Sequence, residues 1–371
     1  MGKEKKWFWL TMVISTVGLV CILVVMVIFD PYFHYHGKLP WIKYQISNER
    51  YINPGILEHF DYDAIIAGTS MNQNFKTSQL DRLWGTKAVK VPFSGAGFKE
   101  IRENLERAFE SHNQIKYVLW GIDYNGLLRD SDYVAYEEYP DYLYDKNIFN
   151  DVSYVWNKDI LTSALLNNML MTLKGEETTS FDEYASWDVG RGWDFIKLSY
   201  YQSLDVLPME KEITEEEIEI IKQNLENNII SLAKANPDTE FVLFYTPYSI
   251  LYWNKLYIDG TLKKQFLIEK VATEMLLEQE NITLYNFFHK TDMICNLDNY
   301  RDELHYVNDI NDKIIDWITV GEGLVTKDNY LQTIEEEKKF YLNFDYSLLY
   351  PHYDENKEVI LSYANKRWKI Y

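Results

Sequence analysis

The chain has 371 residues, enough for one large domain or two small ones. Its 57 acidic side chains outnumber 37 basic ones, a formal net charge of -20, which argues against nucleic acid as a partner because phosphate backbones require a basic footprint. Two cysteines, Cys21 and Cys295, show no metal-type spacing, so neither structural zinc nor an internal disulfide is expected. Aromatic residues make up 16% of the chain, with 30 tyrosines. Such side chains stack on sugars and line apolar grooves, but compositional drift is the plainer source of the excess.

In chain order, the first element is an uncharged run from Trp7 to Phe29, preceded by Lys3, Lys5 and Lys6. As a helix its 23 residues would span roughly 34 Å, enough to cross a hydrocarbon core. The flanking lysines place the amino terminus in the cytoplasm and all that follows Phe29 outside, and Trp7, Phe8 and Trp9 fit an interfacial aromatic belt. The alternative is a cleaved signal peptide. No small-x-small site follows Phe29, where Asp30, Pro31 and Tyr32 come next, so an uncleaved anchor is expected.

From residue 60, strands and helices alternate. Strands are expected at 63–68, 87–97, 116–123, 239–249 and 282–288, and helices at 77–85, 98–112, 214–237 and 260–281. Thr77 reads as a helix N-cap and Gly85 as a stop, and Thr214 with Glu217 forms a capping-box pattern. Continuous apolar strands separated by helices predict a parallel sheet covered on both faces by right-handed crossovers, that is, a three-layer α/β/α sandwich. Residues 127–212 break the pattern and read as an insertion with mixed helices, including 158–175. The expected organisation is a stub at 1–6, a transmembrane helix at 7–29, a linker at 30–60, a domain at 61–320 carrying the insertion, and an extension at 321–371 with a helix at 333–344.

Ligands of open parallel sheets bind beyond the carboxyl ends of the strands. The five ends bring together Gly68-Thr69-Ser70, the glycine turn Ser94-Gly95-Ala96-Gly97, the segment Gly121-Ile122-Asp123-Tyr124-Asn125, and Asp302-Glu303-Leu304-His305. That set suffices for acyl transfer. Ser70 needs a base to become a nucleophile, His305 has the right titration range, and Asp302 can fix its tautomer. Backbone N–H groups of Ser70 and Gly95 would face an oxyanion, each donor worth roughly 2.7–4 kcal/mol. Metal catalysis finds no support, because no His, Asp and Glu cluster has ligand spacing.

The ordered set AGTS, FSGAG, GIDYN and DELHY resembles the SGNH, or GDSL-type, hydrolase superfamily over roughly 60–310. It looks most like the membrane-anchored, extracytoplasmic branch that includes polysaccharide O-acetyltransferase partners and the protein assisting D-alanylation of teichoic acids. The resemblance implies a flavodoxin-like SGNH fold with a mainly parallel five-stranded sheet. It implies Ser70 as nucleophile, Asp302 and His305 as its triad partners, and Gly95 or Gly97 as an oxyanion donor. It implies no cofactor. A cell-envelope polymer as substrate and a multi-spanning O-acyltransferase as partner are further implications of the resemblance. Two positions depart from the pattern: Thr69 replaces the usual Asp before the nucleophile, and Asp123 stands where an oxyanion-binding Asn is usual. Asn125, or Asn72 or Asn74 after the nucleophile, then remains to supply the amide. These departures leave a non-catalytic accessory protein as the rival reading. Whether the insertion is a lid, a glycan groove or a structural cap, and whether the acyl group passes to a polymer or to water, stay open.

Overall fold

The computed structural model describes residues 2–136, 139–187, 190–200 and 209–367. Parts of the expected insertion, at 137–138, 188–189 and 201–208, and the end of the extension lie outside the described residues. The chain forms two compact units, one of residues 1–61 with 138–184 and one of 62–137 with 185–371. The region read as one insertion therefore contributes to both.

In the first unit a helix runs from Lys3 to Phe29, long and apolar enough to cross a membrane. A signal sequence would pass the same test of length and composition. The helix stops at Asp30, which turns left-handed at φ 35° and donates its N–H to the Met26 carbonyl. The Asp30 carboxylate then gathers the next turn. It accepts the N–H groups of His34, Tyr35 and His36 and the Tyr154 hydroxyl, all at 2.6–3.0 Å. The expected linker at 30–60 contains a helix, Glu49–His59, and the short helices Val152–Val155 and Ile160–Leu165 pack against the apolar helix.

The second unit is built on a sheet of β1 (Ala64–Ala67), β2 (Ala88–Lys90), β3 (Tyr117–Ile122), β4 (Glu240–Tyr245), β5 (Ile282–Asn286) and β6 (Leu324–Val325). The spatial order is β2-β1-β3-β4-β5-β6. The first five strands pair in parallel, and β6 runs antiparallel to β5, with Leu284 opposite Val325. The sheet is thus six-stranded and mixed rather than five-stranded. The extra strand is only two residues long, too short to leave a periodic signal. All four residues of β1 are buried, as a strand covered on both faces requires, and each isoleucine there contributes roughly 1.5–3 kcal/mol of burial.

The expected strand at 87–97 is cut short after Lys90, and the rest is loop. The expected strand at 239–249 ends at Tyr245, after which Ser249 caps a helix, Ile250–Ile258, that periodicity did not reveal. Thr77 lies inside the helix Thr77–Trp84 rather than capping it, whereas Gly85 ends it at φ 68°. Thr214 and Glu217 do exchange side-chain and backbone hydrogen bonds at 3.0–3.1 Å. The helix they start is Glu215–Leu225, which continues through a π turn at Glu226–Ile230 into Ser231–Ala235. In the extension, the helix Tyr330–Tyr341 packs on the helix Leu262–Leu276, where Tyr341 stacks on Trp253 at 3.8 Å between ring centres.

Candidate active site

The sheet order reverses direction between β1 and β3, and crevices form at such switch points. Directly beyond β1, Gly68 adopts φ 133°, a value that disfavours any side chain, and a short 3-10 turn, Ser70–Asn72, follows. The Thr69 hydroxyl accepts the Met71 N–H at 3.3 Å and so caps the turn that carries Ser70. Far along the sequence, the loop 300–306 closes on itself through a bridge between Tyr300 and Tyr306 and an Arg301 N–H to His305 carbonyl bond of 2.8 Å. Ser249 holds this loop by donating its hydroxyl to the Glu303 carbonyl at 2.8 Å. Tyr306 and Asn311 both donate to the Met71 carbonyl, at 3.1 and 3.2 Å. These bonds fix the loop against the Ser70 turn across some 235 residues of sequence.

The result is a hydrogen-bonded row. Ser70 Oγ lies 2.8 Å from His305 Nε2, and His305 Nδ1 lies 2.8 Å from Asp302 Oδ2. Asp302 Oδ1 also accepts the N–H groups of Leu304 and His305, at 2.9 and 2.8 Å. Burial by itself would raise the Asp302 pKa. The hydrogen bond and charge of His305, with the two backbone donors, outweigh it and hold the carboxyl below the usual range. An ionised Asp302 only accepts, so Nδ1 carries the ring proton and the Nε2 lone pair faces the serine hydroxyl. His305 is also flanked by Trp187, edge to face at 5.6 Å, and Trp187 is in turn held by Asn74 and Gln73. Nothing in the sequence pattern marks Trp187.

A cavity of about 200 Å³ opens on this row, lined by Ser70, His305, Gly95, Asn125, Arg129 and the apolar Met71, Ala96, Phe98 and Leu304, among others. Gly95 adopts φ 69° with open space where a Cβ would stand. The Ser70 and Gly95 N–H groups have no partner among the described residues. Of the side-chain amides considered, Asn125 alone lines the cavity, and it is exposed.

Three expected oxyanion residues are corrected. Gly97 does not line the cavity; its N–H donates to Glu100 at 2.9 Å as the start of the helix Phe98–Glu110, and it is small because Tyr133 presses on it. Asn74 is turned to structure, its amide oxygen accepting the Trp187 N–H at 2.8 Å. Asp123 reaches the cavity wall but offers no donor. One oxygen accepts the Thr69 hydroxyl at 2.5 Å, and the other accepts Tyr248 at 2.5 Å and Thr246 at 3.2 Å. Burial pushes the Asp123 pKa up, opposed by these three hydroxyls and by the charge of His305. Asn72 is buried outside the cavity, against Gly68 and Gly121.

No protein-family model matches the chain, and no curated protein does. A solved structure from Streptococcus pneumonia, described as a "putative platelet activating factor", is similar at 15% identity over 74% of this chain and 89% of that one, with a TM-score of 0.37. A likeness at that score carries no argument about activity.

Proposed function

We propose that the protein is a membrane-anchored serine esterase or O-acyltransferase that works through an acyl-enzyme on Ser70. The observation that carries this reading is the Ser70–His305–Asp302 row, with both bonds at 2.8 Å and the serine opening onto a cavity. In this mechanism Nε2 of His305 takes the hydroxyl proton as Ser70 Oγ attacks an ester carbonyl. Asp302 stabilises the imidazolium that forms. The free N–H groups of Ser70 and Gly95, with the Asn125 amide, are the donors at hand for the oxyanion. The imidazolium then gives its proton to the departing alcohol. Water or an acceptor hydroxyl, deprotonated by His305, then attacks the acyl carbon, and the imidazolium returns that proton to the departing Ser70 oxygen. A cavity of about 200 Å³ falls below the ~300–1,000 Å³ typical of sites for drug-sized ligands, so a short acyl group is the fitting cargo.

The anchor in this reading is the helix Lys3–Phe29, with the amino terminus in the cytoplasm and the sheet domain outside, as the lysines before Trp7 favour. Ile148, Phe149 and Leu173, largely exposed in the unit that contains the helix, fit a surface close to lipid. The resemblance to the SGNH superfamily points to a cell-envelope polymer as acceptor and to a membrane O-acyltransferase as donor-side partner. A fluorophosphonate probe on the full-length protein in detergent tests the nucleophile. Wild type is expected to label and Ser70→Ala to stay unlabelled. Equal labelling of a folded Ser70→Ala variant, or none of wild type, contradicts the reading and favours an accessory role.

A further inference from the structure

Among the described residues, one lysine or arginine lines the cavity at Ser70, and it is Arg129. Its place is built. The Arg129 N–H donates to the Gly126 carbonyl at 3.2 Å, and its own carbonyl accepts the Asn224 amide at 3.1 Å. Asn224 also holds the Gly126 carbonyl at 2.8 Å, and Asn228 holds that of Ser131 at 2.9 Å. Two amides from the helix behind thus pin the loop 126–131 from end to end. The guanidinium lies 4.3 Å from the centre of the Tyr133 ring. Stacked in this way it keeps its in-plane N–H donors for a ligand.

Among the described residues Arg129 makes no ion pair, although the chain carries twenty more acids than bases, 57 against 37. The acidic side chain at the cavity, Asp123, makes no ion pair with it: its two oxygens accept the hydroxyls of Thr69, Tyr248 and Thr246. A half-buried cation left unpaired beside the proposed nucleophile calls for an anion from outside, and the planar fork of arginine matches carboxylate and phosphate oxygens in pairs.

We infer that Arg129 is a binding residue for an anionic group, carboxylate or phosphate, carried by the substrate close to its reacting oxygen. The inference rests on the reading of Ser70 as nucleophile for its catalytic consequence, though not for anion binding itself. The substrate class narrows accordingly, to short-chain esters of an anionic polymer or alcohol, or short acyl groups that themselves bear a carboxylate.

The test uses the full-length protein in detergent, with Arg129→Gln and the charge-keeping Arg129→Lys. Inorganic phosphate binding, followed by calorimetry, is expected for wild type, weakened roughly 10–100-fold in Arg129→Gln and less in Arg129→Lys, as loss of charge-assisted hydrogen bonds predicts. Three esters then locate the anion: 4-nitrophenyl acetate, 4-nitrophenyl hemisuccinate with a charged acyl side, and acetylated glycerol phosphate with a charged alcohol side. The ratio of kcat/KM for one anionic ester over the neutral one is expected to fall roughly 10–100-fold in Arg129→Gln. An unchanged ratio for both anionic esters, or phosphate binding equal in wild type and Arg129→Gln, overturns the inference. Phosphate binding that depends on Arg129 in a protein that hydrolyses none of the esters upholds the anion site and removes the esterase reading instead.

Discussion

Thr69 and Asp123 are the two positions where the sequence departs from the pattern it otherwise resembles, and they touch each other. The Thr69 hydroxyl donates to Asp123 at 2.5 Å while it caps the Ser70 turn. An acid after β3 is tolerable beside the proposed oxyanion site because both of its oxygens are turned onto hydroxyls. Asp123→Asn replaces one acceptor by a donor facing a hydroxyl. The expected cost is about 1–3 kcal/mol in a urea titration, with slower probe labelling because the Ser70 turn loosens. Unchanged stability and labelling would show that this contact does nothing for the site. That Ser70, Asp302 and His305 would meet was legible in sequence because hydroxyl, carboxylate and imidazole stand at strand ends on one rim of the sheet. Gly97 and Asn74 misled, since a glycine before a helix and an amide after a nucleophile serve local structure as readily as catalysis. Trp187 and Arg129 could not be found that way. Their positions depend on a fold through a segment with no periodicity.

At the scale of elements, β1, β3 and β4 were readable because each holds an unbroken apolar run, and β2 and β5 because they fall between helices in the same alternation. The antiparallel β6 and the capped helix Ile250–Ile258 were not, one being too short and the other too uniformly apolar to show a face. The docking of the helix Tyr330–Tyr341 on the helix Leu262–Leu276 rests on a feature that sequence hides. Glu337 and Glu269 are both buried there, and Glu269 also accepts the Asn286 amide at 2.7 Å. Burial raises both pKa values, and the proximity of Glu269 raises that of Glu337 further. A raised carboxyl pKa means that the folded state binds more protons than the unfolded one. Stability therefore falls as pH rises above the ordinary glutamate value near 4.5; the Glu269 part of the fall is complete near 7, and the Glu337 part, raised further, continues beyond it. Glu337→Gln supplies a permanent donor. Its urea stability relative to wild type is expected to improve steadily between pH 5 and 8, a comparison in which groups elsewhere, such as His289, cancel. Parallel profiles would refute the raised pKa of Glu337.

For the whole molecule, the apolar run after Lys6 was enough to read a helix long and apolar enough to cross a membrane. The division into two units was beyond reach of the sequence, since it joins residues 1–61 to 138–184 through contacts such as Tyr154 with Asp30, 124 positions apart. The proposed reaction begins with one chemical event, the transfer of an acyl group to the Ser70 oxygen. Full-length protein is mixed with 4-nitrophenyl acetate, quenched in acid during the burst, digested and sequenced by tandem mass spectrometry. The acetyl group is expected on Ser70, and absent when His305→Gln is treated in the same way. An acetyl group found only on other residues, or a Ser70 peptide that stays unmodified throughout, would contradict the account.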